Sequence, residues 1–323
     1  MAISYTPTDI RGKAYEPVIE EILFANDTVE KNLVAFETDV KSDTIFTEND
    51  NTATMQAYTS GAPSSSGTLG LTDTLVSPVK VMYYQEFDPN TLRSSRFKRD
   101  MAAGAWNVES NEFATRVLGS YGRLISEDLQ SKFWSNATSA TKTAVAAGAN
   151  TTAEKAYVAG LTAGQFDGVI TRMIYNNGAV GGRVNVVGVA ITSATIAAEY
   201  ARAYAAVPAR VLFGAVKPYI YAPYSHKQFI NIYNVSATYR DLFSVQADGR
   251  YFYNGVEIVF VPLAENCMIV ARPDYIVWCT DLLSDINLLK IDKIALNRED
   301  MFVKNIMTIF AHVLNQSMNV LYL

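Results

Sequence analysis

Residues 219–229 read Tyr-Ile-Tyr-Ala-Pro-Tyr-Ser-His-Lys-Gln-Phe. Tyr219–Ala222 suits a short buried strand, and a proline follows it. Ser225 with Gln228 three positions later has the spacing that opens a helix, here one containing Phe229 and Ile232. Downstream, Tyr251-Phe252-Tyr253-Asn254-Gly255-Val256-Glu257-Ile258-Val259 predicts a hairpin, because Asn-Gly supplies the two positive-φ residues of a tight turn. Met268–Ala271 and Tyr275–Cys279 read as further strands. Ile286–Ile294 and Met301–Val313 are longer extended segments, joined through Asn297-Arg298-Glu299-Asp300, with enough β-branched and aromatic residues to pair antiparallel. Upstream, Thr162 with Gln165 predicts a helix start, Phe166, Val169, Ile170, Met173 and Ile174 its apolar face, and Asn177-Gly178 its end. Val184–Ile191 alternates as a strand. Ile196, Tyr200 and Tyr204 mark a second helix that Pro208 stops. Residues 161–279 therefore read as compact α/β.

The strongest helical signal lies further upstream. Phe113, Val117, Tyr121, Ile125, Leu129 and Phe133 recur at every fourth position, and Leu118 and Leu124 widen the stripe. The spacing predicts an amphipathic helix over 108–134, about 40 Å long at the usual rise per residue. The Ala/Thr-rich residues 135–160 read as a linker. Before the helix, Ser42 to Val79 contains no Lys or Arg, but it contains Asp43, Glu48, Asp50 and Asp73. Its centre, Ser60 to Thr68, is rich in Ser and Gly, and strand-like pieces flank it at Asp43–Thr47 and Leu75–Phe87. This is the pattern of a long hairpin arm that buries little within its own subunit. Asp88-Pro89 then starts a short helix carrying Arg93, Arg96, Lys98 and Arg99. Residues 1–38 read as an extended arm with a helical piece near Val18–Phe24.

Composition excludes several functions. The chain has 323 residues, 49% hydrophobic and 18% charged, with a net charge of −5. That is enough apolar material for a sizeable core. The negative balance argues against a surface that wraps DNA tightly. Two His and two Cys could make one four-ligand zinc site only by using every one of them. His226 and His312 have no marked partners, and Cys267 and Cys279 lack the Cys-x-x-Cys spacing, so both pairs read as structural. Asn176 to Gly182 is glycine-rich, but it lies between a helix and a strand, the reverse of the order that aims a helix N-terminus at a phosphate. There is no Gly-x-Ser-x-Gly elbow. No catalytic residue, cofactor or metal is expected. No signal peptide and no membrane span is legible.

The order of these pieces resembles the major capsid proteins of tailed double-stranded DNA bacteriophages, with the α+β Hong Kong 97-type capsid fold. The resemblance rests on Tyr219–Phe229, then Tyr251–Pro262, then the closing strand pair, behind a hairpin and a long helix. It implies an N-terminal arm over 1–38, an E-loop hairpin over 39–87, and a peripheral (P) domain with the spine helix over 88–139. An inserted α/β axial (A) domain would cover 140–279, and P-domain strands with a C-terminal segment 280–323. It implies no enzyme but a virion structural protein, assembled in the host cytoplasm into hexamers and pentamers that form an icosahedral shell around the viral DNA. Implied partners are further copies, decoration, scaffolding and portal proteins, and weak non-specific contact with packaged DNA, with no membrane. Some members crosslink an E-loop Lys to a neighbour. No Lys lies between Lys41 and Lys80, so that reinforcement is not expected.

Charge adds an expectation of its own. The acidic arm (Asp43, Glu48, Asp50, Asp73) and the cationic helix (Arg93, Arg96, Lys98, Arg99) carry −4 and +4, and they could pair between neighbouring copies. Three other readings stay open: an encapsulin-like compartment of the same fold, a soluble α/β enzyme with its site in 161–279, and a minor virion protein.

Overall fold

The computed structural model describes residues 28, 31–49, 52–62, 64–88, 111–180, 184–236, 242–282, 289–294 and 300–323. The chain enters through β1 (Ala35–Glu37) and rises into a hairpin: β2 (Thr44–Asn49) and β3 (Thr52–Ala53) go out, and β4 (Gly67–Thr68) and β5 (Leu71–Val76) come back. It continues as β6 (Val79–Phe87) and then, beyond the undescribed 89–110, as the long helix α1 (Asn111–Trp134). The cationic helix expected after Asp88-Pro89 and the helical piece at Val18–Phe24 both lie outside the described residues.

Three helices follow: α2 (Ser139–Ala147), α3 (Thr152–Gly160) and α4 (Val169–Val180). The expected linker at 135–160 is thus largely helical. Alanine is the best helix former, and threonines cap both helices. The Thr138 side chain accepts from the Thr141 N–H, while Thr151 and Glu154 form a reciprocal capping box. Asp167 fastens the segment down, its carboxylate accepting from the Thr138 N–H at 2.8 Å and the Thr141 hydroxyl at 2.7 Å. The helix expected to start at Thr162 starts at Val169, and it runs past Asn177-Gly178 to Val180.

The chain then forms β7 (Val184–Val186), α5 (Ile196–Ala205), α6 (Ala209–Leu212), β8 (Tyr219–Ala222) and α7 (Tyr224–Ser236). It ends through β9 (Phe243–Val245), β10 (Tyr251–Tyr253), β11 (Val256–Phe260), β12 (Met268–Ala271), β13 (Ile276–Thr280), β14 (Leu289–Lys293), β15 (Met301–Val313) and β16 (Val320–Tyr322). Asn254 and Gly255 take φ of 51° and 80°, so the Asn-Gly turn forms as its residues require.

Two large sheets organise these elements. In the first, β15 is the central strand. It pairs antiparallel with β13 and β14 along one edge and with β6 along the other, and β1 extends the sheet in parallel beyond β13. Val303, Asn305, Met307 and Ile309 face inward and are buried, while Lys304, Ile306 and Thr308 between them are not. Leu118, Ile125, Leu129 and Phe133 of α1 belong to the same core, with the Phe133 ring stacked 4.3 Å from Trp278. Thr28 is tied to this helix, its hydroxyl accepting from the Trp134 indole N–H at 3.1 Å. Phe133 is fully buried. Phe133→Ala is therefore expected to cost about 3–5 kcal/mol, read as a lower midpoint in urea unfolding; an unchanged midpoint would mean that the stacked pair does not anchor the helix.

The second sheet has the order β7-β16-β12-β8-β11-β10-β9. Tyr200, Phe243 and Tyr253 pack ring to ring over it. The segment after 280 serves both sheets: β14 and β15 lie in the first, and β16 lies inside the second, between β7 and β12.

Candidate assembly surfaces

The hairpin has two unlike faces. Register Thr44↔Val76 through Asn49↔Leu71 puts Phe46, Glu48 and Val76 on one face and Ile45, Asp73, Leu75 and Leu71 on the other. The first face lies on the body. Val76 is fully buried, and it packs with Phe46, Val40, Val277, Cys279 and Phe310. The Phe46 ring sits 5.1 Å from the His312 imidazole, and the Glu48 carboxylate accepts from the Asn315 N–H at 3.1 Å. The second face is turned outward: Ile45 and Leu75 are each 59% exposed and Leu71 65%. Beyond it, Met55 and Tyr58 are 98% and 93% exposed.

The foot of the hairpin is dry. Burial pushes the Cys279 thiol up to about 12. Burial, helped by the Arg172 guanidinium, lowers the His312 imidazole to about 4, and its Nε2 has no hydrogen-bond partner among the described residues. His226 is buried too, with one ring nitrogen 3.0 Å from the Tyr200 hydroxyl and the other 2.7 Å from the Glu265 carbonyl oxygen. Burial lowers it likewise to about 4. Both histidines are thus packing residues. Cys267 and Cys279 are both buried, and neither is in a disulfide.

Of the four arm acids, Asp43 is exposed at the foot, Glu48 meets Asn315, and Asp73 accepts from the Thr47 hydroxyl at 2.7 Å. Asp50, Arg93, Arg96, Lys98 and Arg99 lie outside the described residues.

The sequence reading overlooked a second surface. On the side of the first sheet away from α1, pairing sets Met82 opposite Ile306 and Tyr84 opposite Lys304, with Lys290 next to Lys304. Met82 is 56% exposed, and Tyr84 and Ile306 are exposed as well. The Tyr84 ring is 5.7 Å from Phe302. Farther along β15 the same side carries Phe310 and His312, which the hairpin foot covers. Period-two alternation along Val79–Phe87 held this signal, but the whole run read as a single arm strand. On the helix side of β6, the Tyr83 hydroxyl donates to Asp128 at 2.7 Å beside a cavity of 330 Å³ between Tyr121, Leu124 and Val303.

Among the described residues no group of three or more His, Cys, Asp or Glu could hold a metal ion. No described helix is long and apolar enough to cross a membrane.

No protein-family model and no curated protein matches the chain. Solved structures do match. A chain of the satellite phage P4 procapsid superposes with a TM-score of 0.57 at 9% identity, covering 97% of this chain and 91% of the other. A chain of the capsid of a native GTA particle gives 0.54 at 11%, over 100% and 95%. One from the cyanophage A-1(L) capsid gives 0.52 at 10%, over 99% and 95%. From β1 to β16, the chain has the α+β fold of phage capsid chains.

Proposed function

We propose that the chain is the major capsid protein of a tailed double-stranded DNA phage, a structural protein of the virion with no reaction to catalyse. Copies of it form the hexamers and pentamers of an icosahedral shell. The observation that carries this reading is the hairpin, whose described outward face and tip leave Ile45, Met55, Tyr58, Leu71 and Leu75 mostly exposed, within a chain that shares its fold with phage shells along its whole length. Exposed apolar side chains gathered on one protruding element mark a surface made for another chain. In this reading 1–38 is the N-terminal arm, 39–87 the E-loop, 88–139 the P-domain piece with α1 as spine, 140–279 the inserted A domain and 280–323 the returning strands. Phage and GTA shells as structural neighbours favour a virion over a cargo compartment. Decoration, scaffolding and portal proteins are its further partners, and its contact with packaged DNA is weak because the net charge is −5.

Negative-stain microscopy of the purified, concentrated protein tests this. Closed icosahedral particles are expected, and a small stable oligomer would overturn the reading. Replacing residues 53–67 by Asn-Gly should leave the thermal melt of the subunit within a few degrees, since this tip contributes no buried side chain among its described residues. It should abolish particles. Shells at wild-type yield would remove the hairpin from assembly.

The acidic arm sets register against the cationic residues Arg93, Arg96, Lys98 and Arg99 of a neighbour. Asp43→Lys with Asp73→Lys should slow assembly, most at low salt, and Arg93→Glu with Arg96→Glu should restore it. Failure of the rescue would detach the two groups.

A further inference from the structure

A cleft of 670 Å³ opens beside the point where the described chain begins. Its apolar wall is aromatic: Tyr219, Tyr224, Tyr251 and Phe260, with the rings of Tyr251 and Phe260 edge to face at 5.3 Å. Its polar rim holds three cations, Lys31, Lys227 and Arg250, against two acids. Both acids lie on Arg250, Asp248 at 2.6 Å and Glu257 at 3.8 Å. Lys227 makes no ion pair among the described residues, and its ammonium stands 5.8 Å from the centre of the Tyr251 ring. A hollow with four rings on its wall and surplus positive charge on its rim suits a ligand that is apolar on one side and acidic on the other.

We infer that this cleft seats the acidic, amphipathic segment 16–24 of the same chain. The inference goes beyond the shell reading and does not depend on it.

Three observations select this occupant. The first is position. Residues 1–27 lie outside the described residues, and Thr28 is the first described residue. The Leu33 N–H donates to the Thr28 carbonyl oxygen at 3.0 Å, and both Leu33 and Lys31 line the cleft. The Trp134 ring that holds Thr28 lies 5.0 Å from Tyr221, which in turn packs on Tyr219 of the cleft wall. Thr28 therefore stands at the cleft's edge, and four residue steps, at most about 14 Å, separate it from Phe24. So short a tether holds the segment at an effective concentration on the order of millimolar, which a second copy in dilute solution cannot match. The second is the apolar pattern. Val18 with Ile22, and Ile19 with Leu23, recur at helical spacing behind Pro17, and Phe24 extends the stripe. The third is charge. Segment 16–24 carries Glu16, Glu20 and Glu21 and no lysine or arginine, so it complements a rim on which Lys227 stands unpaired among the described residues.

Hydrogen exchange of the full-length chain, kept dilute and read by mass spectrometry over 16–24, tests this. The wild-type chain is expected to exchange these amides at least about tenfold more slowly than a free peptide of the same sequence. Lys227→Glu sets a carboxylate against three glutamates and should return the segment to peptide rates. It should leave the thermal melt unchanged, because Lys227 is exposed. Adding Glu20→Lys and Glu21→Lys to that variant should restore slow exchange. Peptide rates in the wild-type chain, or slow exchange that Lys227→Glu leaves untouched, overturn the seat. A double charge reversal that restores nothing overturns the charge pairing. Slow exchange that fades on dilution hands the cleft to a second copy and overturns the assignment to the same chain. None of these readouts needs a shell, so a failure here leaves the shell reading to its own test by microscopy.

Discussion

Removing Val320–Leu323 is expected to leave a chain that no longer melts cooperatively. β16 is no edge decoration: it runs parallel to β7 and antiparallel to β12, so its loss splits the second sheet. Val320, Leu321 and Tyr322 are fully buried. At about 1.5–3 kcal/mol for each large side chain, their burial contributes an amount comparable to the whole stability of a typical domain. The Tyr322 hydroxyl donates to the buried Glu199 carboxylate and also lies 3.2 Å from the Val189 carbonyl oxygen. The Leu323 N–H donates to the Val186 carbonyl at 3.0 Å. Gly188 makes room for this ring: a Cβ there would fall 1.6 Å from the Tyr322 hydroxyl oxygen, so Gly188→Ala should destabilise in the same direction. Circular dichroism against temperature reads both. A truncated chain with the wild-type midpoint would show that β16 is dispensable.

The second large effect is acid sensitivity. His226 and His312 are each held near pKa 4, against 6.5 in an unfolded chain. A depressed histidine favours the folded state only while it stays neutral. As pH falls below 6.5 the unfolded chain takes up the proton first, and stability drops until about pH 4, where the folded form is protonated too. The slope is about 1.4 kcal/mol per pH unit for each histidine, and the full loss is on the order of 3 kcal/mol each. Most carboxylates stay ionised above pH 5, so urea unfolding between pH 6.5 and 5 isolates the histidines. His312→Phe, which suits the dry pocket beside Phe46 and Phe310, should remove about half of that slope. A flat profile in this window would contradict the burial of both rings.

Much of the fold was legible because its signals were local. Met301–Val313 forms with the bounds read from the sequence, and the Asn-Gly hairpin and the strand at Tyr219 form in place. The long helix is described from Asn111, three residues inside its expected start. The linker reading of 135–160 failed because low side-chain bulk signals a weakly specified segment, whereas alanine with threonine caps specifies short helices. The capping box was sought at Thr162, where the backbone is not helical, and it stands at Thr151. Two features were out of reach. The place of β16 depends on a pairing across more than a hundred residues. The apolar strip over β6 and β15 appears only when two strands distant in sequence are laid side by side.

The join between hairpin and body has a mechanical consequence. β5 passes into β6 across only Ser77 and Pro78, and β6 is held to β15 by nine paired positions, from Val79↔Ile309 to Phe87↔Met301. A tug on the hairpin runs along that strand pair and loads its rungs together in shear rather than peeling them one at a time. In the proposed shell, swelling from within would be borne by the stiffest direction of the sheet, with the long helix bracing its reverse side.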